Sequence, residues 1–242
     1  MLYWGCMPNI DIIIRTHFTR NRDEKKVRYC GADKAEVTRR CLISLVKSVN
    51  QLEPACQVQV VLYDDHSGVE NLAMAQEILD SLQPPHSSKI IHATVSGPTA
   101  TMVPAFTWGL NDSQKDLLYF LEDDYLHQPS TVSELANAHK YFSHMLGGRP
   151  VALYPFDDPY RYYKPENIQP TRIVLGPKRH WRVNHFTSGT FFTTHAVLAK
   201  HFTNISALGR VPVSSTMEDD TINKVWKDED VTLFSPIPSL AL

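Results

Sequence analysis

The sequence predicts an α/β fold, a single-domain three-layer α/β/α sandwich with a mostly parallel central sheet. Two observations lead there. Short apolar runs of strand character alternate with segments whose apolar residues recur at helical spacing, and the intervals between the runs suit parallel strands joined by right-handed crossover helices. A third is positional: the runs end in charged or polar residues, at the strand ends where sheets of this kind bind ligands.

Residues 10–15 (IDIIIR) read as a short buried strand. Residues 34–51 follow as a helix, with Val37, Cys41, Leu45 and Val49 on one stripe and Leu42 and Val46 beside it. Residues 58–63 (VQVVLY) form a second buried strand that ends at Asp64, Asp65, His66, Ser67 and Gly68. Its helix is 69–82, with Leu72, Ala75, Leu79 and Leu82 recurring at helical spacing. Pro84 and Pro85 break the chain, residues 89–95 give a third strand, Gly97 and Pro98 turn it, and 99–111 is a helix in which Pro104 predicts a bend. Residues 117–121 are the fourth strand, closing on Glu122, Asp123 and Asp124.

The second half is less regular. Residues 129–145 read as a helix, 151–154 as a strand closing on Asp157 and Asp158, and 160–178 as a loop rich in Tyr, Pro and Arg. A loop of that length in a compact domain points to function. Residues 180–193 alternate around Ser188 and Gly189, 195–201 is a short helix, and 217–227 is a single helix with Glu218, Asp219 and Asp220 at its start. The chain shows neither an internal repeat nor a low-complexity tract.

The composition narrows the class. With 43% hydrophobic and 21% charged residues over 242 positions, the chain is globular and long enough for one large domain. A net charge of −2 gives no nucleic-acid signature, so nucleic acid is not the expected partner. Local basic character gathers at Arg172, Lys178, Arg179 and Arg182, which suits either a phosphate or anionic surface or a solvated loop. Cys6, Cys30, Cys41 and Cys56 match neither a zinc knuckle nor a Cys-x-x-Cys pair, so reduced thiols and a cytoplasmic location are expected. The first residues lack a basic n-region and a long apolar stretch, and no segment approaches the ~20 apolar residues of a membrane helix. Contact with a membrane is therefore expected only at its surface.

The chemistry concentrates at the strand ends. Three adjacent carboxylates, Glu122, Asp123 and Asp124, repel one another and call for a cation. Glu122 and Asp124 are two apart, so at a strand end both can reach one hard divalent ion, Mg²⁺ or Mn²⁺, that also holds phosphate oxygens. An acidic turn into the following helix is the plainer alternative. Asp64 and Asp65 suit a ribose or base N–H, or an Asx turn with Ser67 and Gly68. Glu218, Asp219 and Asp220 suit either a helix dipole or a general base for a hydroxyl. Neither G-x-G-x-x-G nor a P-loop occurs, no His pair has zinc spacing, and Ser188-Gly189 lacks the G-x-S-x-G elbow.

In order and spacing these motifs resemble a glycosyltransferase of the A-type fold, most closely family 2. The resemblance runs through strand one ending in Arg15 and Thr16, then VVLYDDHSG, then YFLEDDYL in the place of the Asp-x-Asp motif, then MEDDTI in the place of the late acidic base. It implies an inverting transfer from a nucleotide-diphosphate sugar, a UDP-sugar first, to a hydroxyl of a glycan or glycoconjugate, lipid-linked acceptors included. Residues 10–126 would form the donor half and 127–242 the acceptor half. Arg15, Thr16, Asp64, Asp65, Glu122, Asp123 and Asp124 would meet the donor, Glu122 and Asp124 would bracket Mn²⁺ or Mg²⁺, and Asp219, flanked by Glu218 and Asp220, would be the base. Glu122 stands where the motif has Asp, which makes Asp124 the first metal ligand. Asp157, Tyr162, His180, Trp181 and Arg182, with Tyr163, are the candidate acceptor wall. In family members a His soon after a close like LFSPIPSLAL approaches the metal; the sequence stops before one. A metal-dependent phosphodiesterase or nuclease, and a non-catalytic sugar-nucleotide-binding protein, are the alternatives.

Overall fold

The computed structural model describes residues 8–18, 33–159, 162, 171–212, 214, 217–227 and 230–242. Tyr163, Cys6, Cys30 and most of the Tyr-rich loop lie outside these residues.

The first half alternates as its pattern requires. Strand β1 (Ile10–Thr16) leads to helix α1 (Lys34–Val49), β2 (Val58–Asp64) to α2 (Val69–Asp80), β3 (Ser87–His92) to α3 (Met102–Asn111), and β4 (Leu117–Glu122) to α4 (Thr131–Met145). Then come β5 (Val151–Leu153), β6 (Ile173–Leu175), β7 (His180–Asn184), β8 (Phe191–Thr194), helices α5 (His195–Ala207), α6 (Met217–Asp220) and α7 (Asn223–Lys227), and β9 (Thr232–Ile237). The strands make one nine-stranded sheet in the order β3-β2-β1-β4-β8-β5-β9-β7-β6. Strands β7 and β8 run against the rest, so the sheet is mostly parallel in strand direction.

Both faces are covered because the strands are apolar on both. Ile10, Ile12 and Ile14 of β1 pack with Leu42, Leu45 and Val46 of α1 on one face, whereas Ile13 packs with α3 residues Ala105 and Phe106 on the other. Each such side chain, fully buried, contributes roughly 1.5–3 kcal/mol. Helix α1 starts where Asp33 accepts the Glu36 N–H at 2.8 Å, an N-cap that sets Lys34 at the carboxyl ends of the strands.

Several boundaries differ from the sequence expectation, each for a local reason. Pro104 is the third residue of α3, where its missing N–H had no helical partner to lose, so the expected bend is not required. The helix expected over 217–227 is two short ones, because the Thr221 hydroxyl takes the Met217 carbonyl and the Thr221 N–H turns to the Glu218 carbonyl at 3.3 Å. Helix α5 continues past its expected end to Ala207, with non-helical backbone at His201. Strands β6 and β9 lie where the sequence pattern predicts no strand. The first is three residues inside an apparent loop, and the second carries Pro236, which lies beyond the last β5–β9 partner, Phe234.

Candidate active site at the strand ends

The parallel register brings the predicted residues to one edge. Arg15 stands opposite both Tyr63 and Glu122, and Thr16 stands opposite Asp64. The three carboxylates after β4 are then met by different partners. Arg15 Nη2 donates to Glu122 Oε1 at 2.7 Å. Lys34 Nζ pairs with Asp123 Oδ1, and the His17 backbone N–H donates to Asp123 Oδ2 at 3.0 Å. Asp124 is exposed and has no ion pair or side-chain hydrogen bond with another described residue. Burial still pushes the Glu122 carboxyl up, Arg15 opposes this, and the charges of Asp124 and Asp123 push the same way as burial.

Around this run the loops are pinned to one another. Asp65 Oδ2 accepts the Gly97 N–H at 2.8 Å, and Gly97 adopts a φ of 129°, a conformation that favours glycine. Arg15 Nη1 reaches the Pro98 carbonyl and, at 3.4 Å, the Thr101 hydroxyl. Burial works against the Asp65 carboxylate, but the Gly97 N–H, His66 and Ser96 together hold its pKa below the ordinary range. Asp64, 1% exposed, accepts the Ser67 N–H, three residues on, at 3.1 and 3.3 Å, so its carboxylate braces the turn after β2. Thr16 and Thr38 border a shallow recess with Cys41, Glu122 and Asp123, and their hydroxyls find no partner among the described residues. Burial raises the Cys41 thiol to about 12, so it is no nucleophile at neutral pH.

The loop before β8 closes the other side. Thr190 Oγ1 accepts the Glu122 N–H at 3.2 Å, and a Cβ on Gly189 would lie 3.3 Å from Met102 Cε and 3.8 Å from Glu122 Cδ. That loop also carries α6 and α7, since the Thr187 N–H donates to Asn223 Oδ1 at 2.9 Å and Trp226 Nε1 donates to Thr187 Oγ1 at 2.8 Å. Asp219 is exposed and accepts from Lys227 Nζ at 3.0 Å and Asn223 Nδ2 at 3.3 Å. The Lys227 contact holds its carboxyl below the ordinary range. Glu218 is half-buried and Asp220 exposed.

The candidate acceptor residues separate. Asp157, Tyr162 and Arg182 come together: Arg182 Nε donates to Asp157 Oδ1 at 3.1 Å, Arg182 Nη2 to the Tyr162 hydroxyl at 2.9 Å, and that hydroxyl to Asp157. His180 is exposed at the start of β7. Trp181 is a correction: at 1% exposure it packs edge-on against Phe142 at 5.6 Å in the core, so its face meets no sugar. Adjacent strand residues point to opposite faces, and only one of Trp181 and Arg182 could line a wall. Ser188 matches no catalytic motif in the sequence, and only the fold brings it to the site. It lies 3.4 Å from the Tyr125 hydroxyl, which lies 3.0 Å from that of Tyr154, and it bonds the Glu122 carboxylate. The chain's last residues run beside the acidic segment, with the Leu126 N–H on the Leu242 carbonyl at 2.7 Å.

Among the described residues, no three His, Cys, Asp or Glu gather in a way that could hold a metal ion. A divalent ion would draw on Asp124 and on oxygens from outside the chain. That fits Mg²⁺ or Mn²⁺, which are commonly held by one or two carboxylates together with phosphates and water.

Comparison with known proteins agrees with this fold. The sequence profile of Glycosyl transferase family 2 matches residues 32–202. A search of curated proteins finds no match. Among solved structures, S. aureus TarS 1–349 superposes with a TM-score of 0.56 at 13% identity, covering 94% of this chain and 60% of that one. The same TarS fragment in complex with UDP gives 0.55 at 14% identity, with the same coverage. The Pyrobaculum calidifontis mannosyltransferase PcManGT, in complex with GDP-Man and Mn²⁺, gives 0.54 at 14%, covering 93% of this chain and 56% of that one. The chain thus spans less than two thirds of these relatives, and the likeness at such identity is one of fold. With the profile matching most of its length, the chain belongs to glycosyltransferase family 2.

Proposed function

We propose that this chain transfers a sugar from a nucleotide-diphosphate donor, a UDP-sugar first, to a hydroxyl of a glycan or glycoconjugate, with inversion at the anomeric carbon. One observation carries the reading most. At the end of β4, Glu122 and Asp123 already have internal cations, and Asp124 beside them is exposed with no ion pair to another described residue. We assign Asp124 as the ligand for Mn²⁺ or Mg²⁺, an ion that neutralises the departing diphosphate when bound. Arg15, Thr16, Asp64 and Asp65 form the rest of the donor edge, and Glu122 holds Arg15 in place. Residues 10–126 serve the donor and 127–242 the acceptor.

In this mechanism the acceptor oxygen attacks the anomeric carbon as the bond to the diphosphate oxygen breaks, and the nucleoside diphosphate leaves with that electron pair. Asp219 takes the hydroxyl proton. Its contact with Lys227 must loosen for this, because a carboxylate held low accepts a proton poorly. Asp157, Tyr162 and Arg182, with the exposed His180, are the acceptor-side candidates. The cytoplasm is the proposed location, in keeping with buried Cys41, which forms no disulfide with a described residue.

The test is thermal unfolding with UDP, GDP, CDP or dTDP, each with Mn²⁺ or with EDTA. A ligand at 100 times its dissociation constant adds about 2.7 kcal/mol. Stabilisation by one nucleotide that needs the metal supports the reading. No stabilisation by any of them overturns it, and nucleic-acid cleavage or sugar-nucleotide binding without turnover would favour the other two classes.

A further inference from the structure

We propose that the outer edge of the sheet, the β6–β7 hairpin, docks on an anionic phospholipid surface. On the last strand Ile173 and Leu175 are 54% and 65% exposed, whereas Val174 between them turns inward to the core. Two large aliphatic side chains on the open face of an edge strand are an aggregation hazard unless something covers them. Across the hairpin they stand opposite Arg182 and His180, and the Tyr162 ring, 55% exposed, lies 5.3 Å from the Arg182 guanidinium on the same face.

The charge around this face is positive. Arg172 and Lys178 are exposed and form no ion pair with a described residue. Arg179 is already used, since its guanidinium binds Glu134 at 2.8 and 3.1 Å and the Pro238 carbonyl at 2.8 Å, which ties the turn of the hairpin to α4. The hairpin therefore presents two aliphatic side chains flanked by two exposed cations on an anchored support. Apolar insertion combined with attraction to acidic headgroups is the pairing that peripheral membrane binding needs, since either signal alone binds weakly. A second copy of the chain is the poorer occupant: antiparallel pairing of two β6 edges would bring the Arg172 and Lys178 of one against those of the other.

The place of the hairpin matters for the proposed transfer. Strand β6 runs in the same sense as β4, so Leu175 and the turn after it lie at the same end of the sheet as Glu122. A bilayer on this edge would face the end at which the site opens, and an acceptor held in that bilayer would need no release into water. The docking itself rests on the edge residues and not on the donor reading.

Co-sedimentation with vesicles of phosphatidylcholine, alone or mixed with phosphatidylglycerol, tests it. The protein should sediment with the mixed vesicles and much less with the neutral ones, and salt should weaken the binding. Ile173→Asp/Leu175→Asp should abolish it, and Arg172→Glu and Lys178→Glu should each weaken it about fivefold or more. Unchanged unfolding midpoints and unchanged UDP response in these variants separate docking from folding and from donor binding. Equal sedimentation with both vesicles, no sedimentation, or wild-type binding by the variants overturns the proposal. A dimer in solution that Ile173→Asp/Leu175→Asp dissociates, with no vesicle binding, also overturns it and gives the edge to a second copy.

Discussion

Arg15 and Glu122 stand opposite each other where β1 and β4 end, and their side chains close an ion pair of 2.7 Å. The register that makes the sheet thus also supplies part of the positive charge that the acidic run calls for. Lys34, placed by the N-cap of α1, supplies the rest to Asp123. What is left over is Asp124, and this difference among three neighbouring carboxylates gives them separate roles.

The pair itself can be measured. Arg15→Met should destabilise the fold by about 1–3 kcal/mol, because it leaves a partly buried carboxylate unpaired. Glu122→Gln added to it should recover part of that loss. A denaturant double-mutant cycle that finds the two changes additive would show that the pair contributes nothing beyond its separate members.

Asp124→Ala should remove the metal-dependent nucleotide stabilisation, and Asp219→Asn should keep it while transfer falls by a factor of about 10² or more. Calorimetric binding beside a transfer assay separates the two, and equal loss of binding in both variants would sink the division of roles.

Lys227 sets the pH at which Asp219 gains its proton. Its charge and hydrogen bond hold the carboxyl low, so Lys227→Met should let the pKa rise toward the ordinary range. The acid limb of the transfer rate should then move to higher pH, since the base is lost to protonation sooner as pH falls. A limb that stays put would mean that another group is the base.

Trp181 and Tyr162 should part company. Trp181→Ala removes a buried ring from the core and should cost about 3–5 kcal/mol of stability. Tyr162→Ala should change stability little and raise the acceptor KM instead. Chemical denaturation and steady-state kinetics on the same two proteins decide this.

His127 and His139 are buried, and desolvation lowers both to about 4. A folded-state pKa below the unfolded value of ~6.5 gives stability that is complete above that value and is lost as pH falls toward 4. Each should cost about 2 kcal/mol by pH 5. For His127 the neutral ring is the satisfied one, since Nδ1 faces the Tyr125 carbonyl at 3.0 Å and Nε2 the Tyr119 hydroxyl at 3.1 Å. Urea midpoints that do not move between pH 7 and pH 5 would contradict this.

The alternation of apolar runs with helical stripes in residues 10–145 was enough to order four strands and four helices, because strands buried on both faces read as continuous apolar runs. It also put Arg15, Asp64, Asp65 and Glu122 at strand ends, since a buried strand must stop where its polar residues begin. Local sequence could not say which carboxylate has which cation, because Arg15, Lys34 and Glu122 are far apart in the chain and meet only through the β1–β4 register and the cap of α1. For the same reason Trp181 was placed on a wall and belongs in the core: which face of β7 is buried depends on Phe142 and Phe234, and neither is a sequence neighbour. Strands β6 and β9 exist only as partners of β7 and β5, and so they too were decided by tertiary pairing, where the hydrogen bonds of a short segment are supplied by strands distant in sequence.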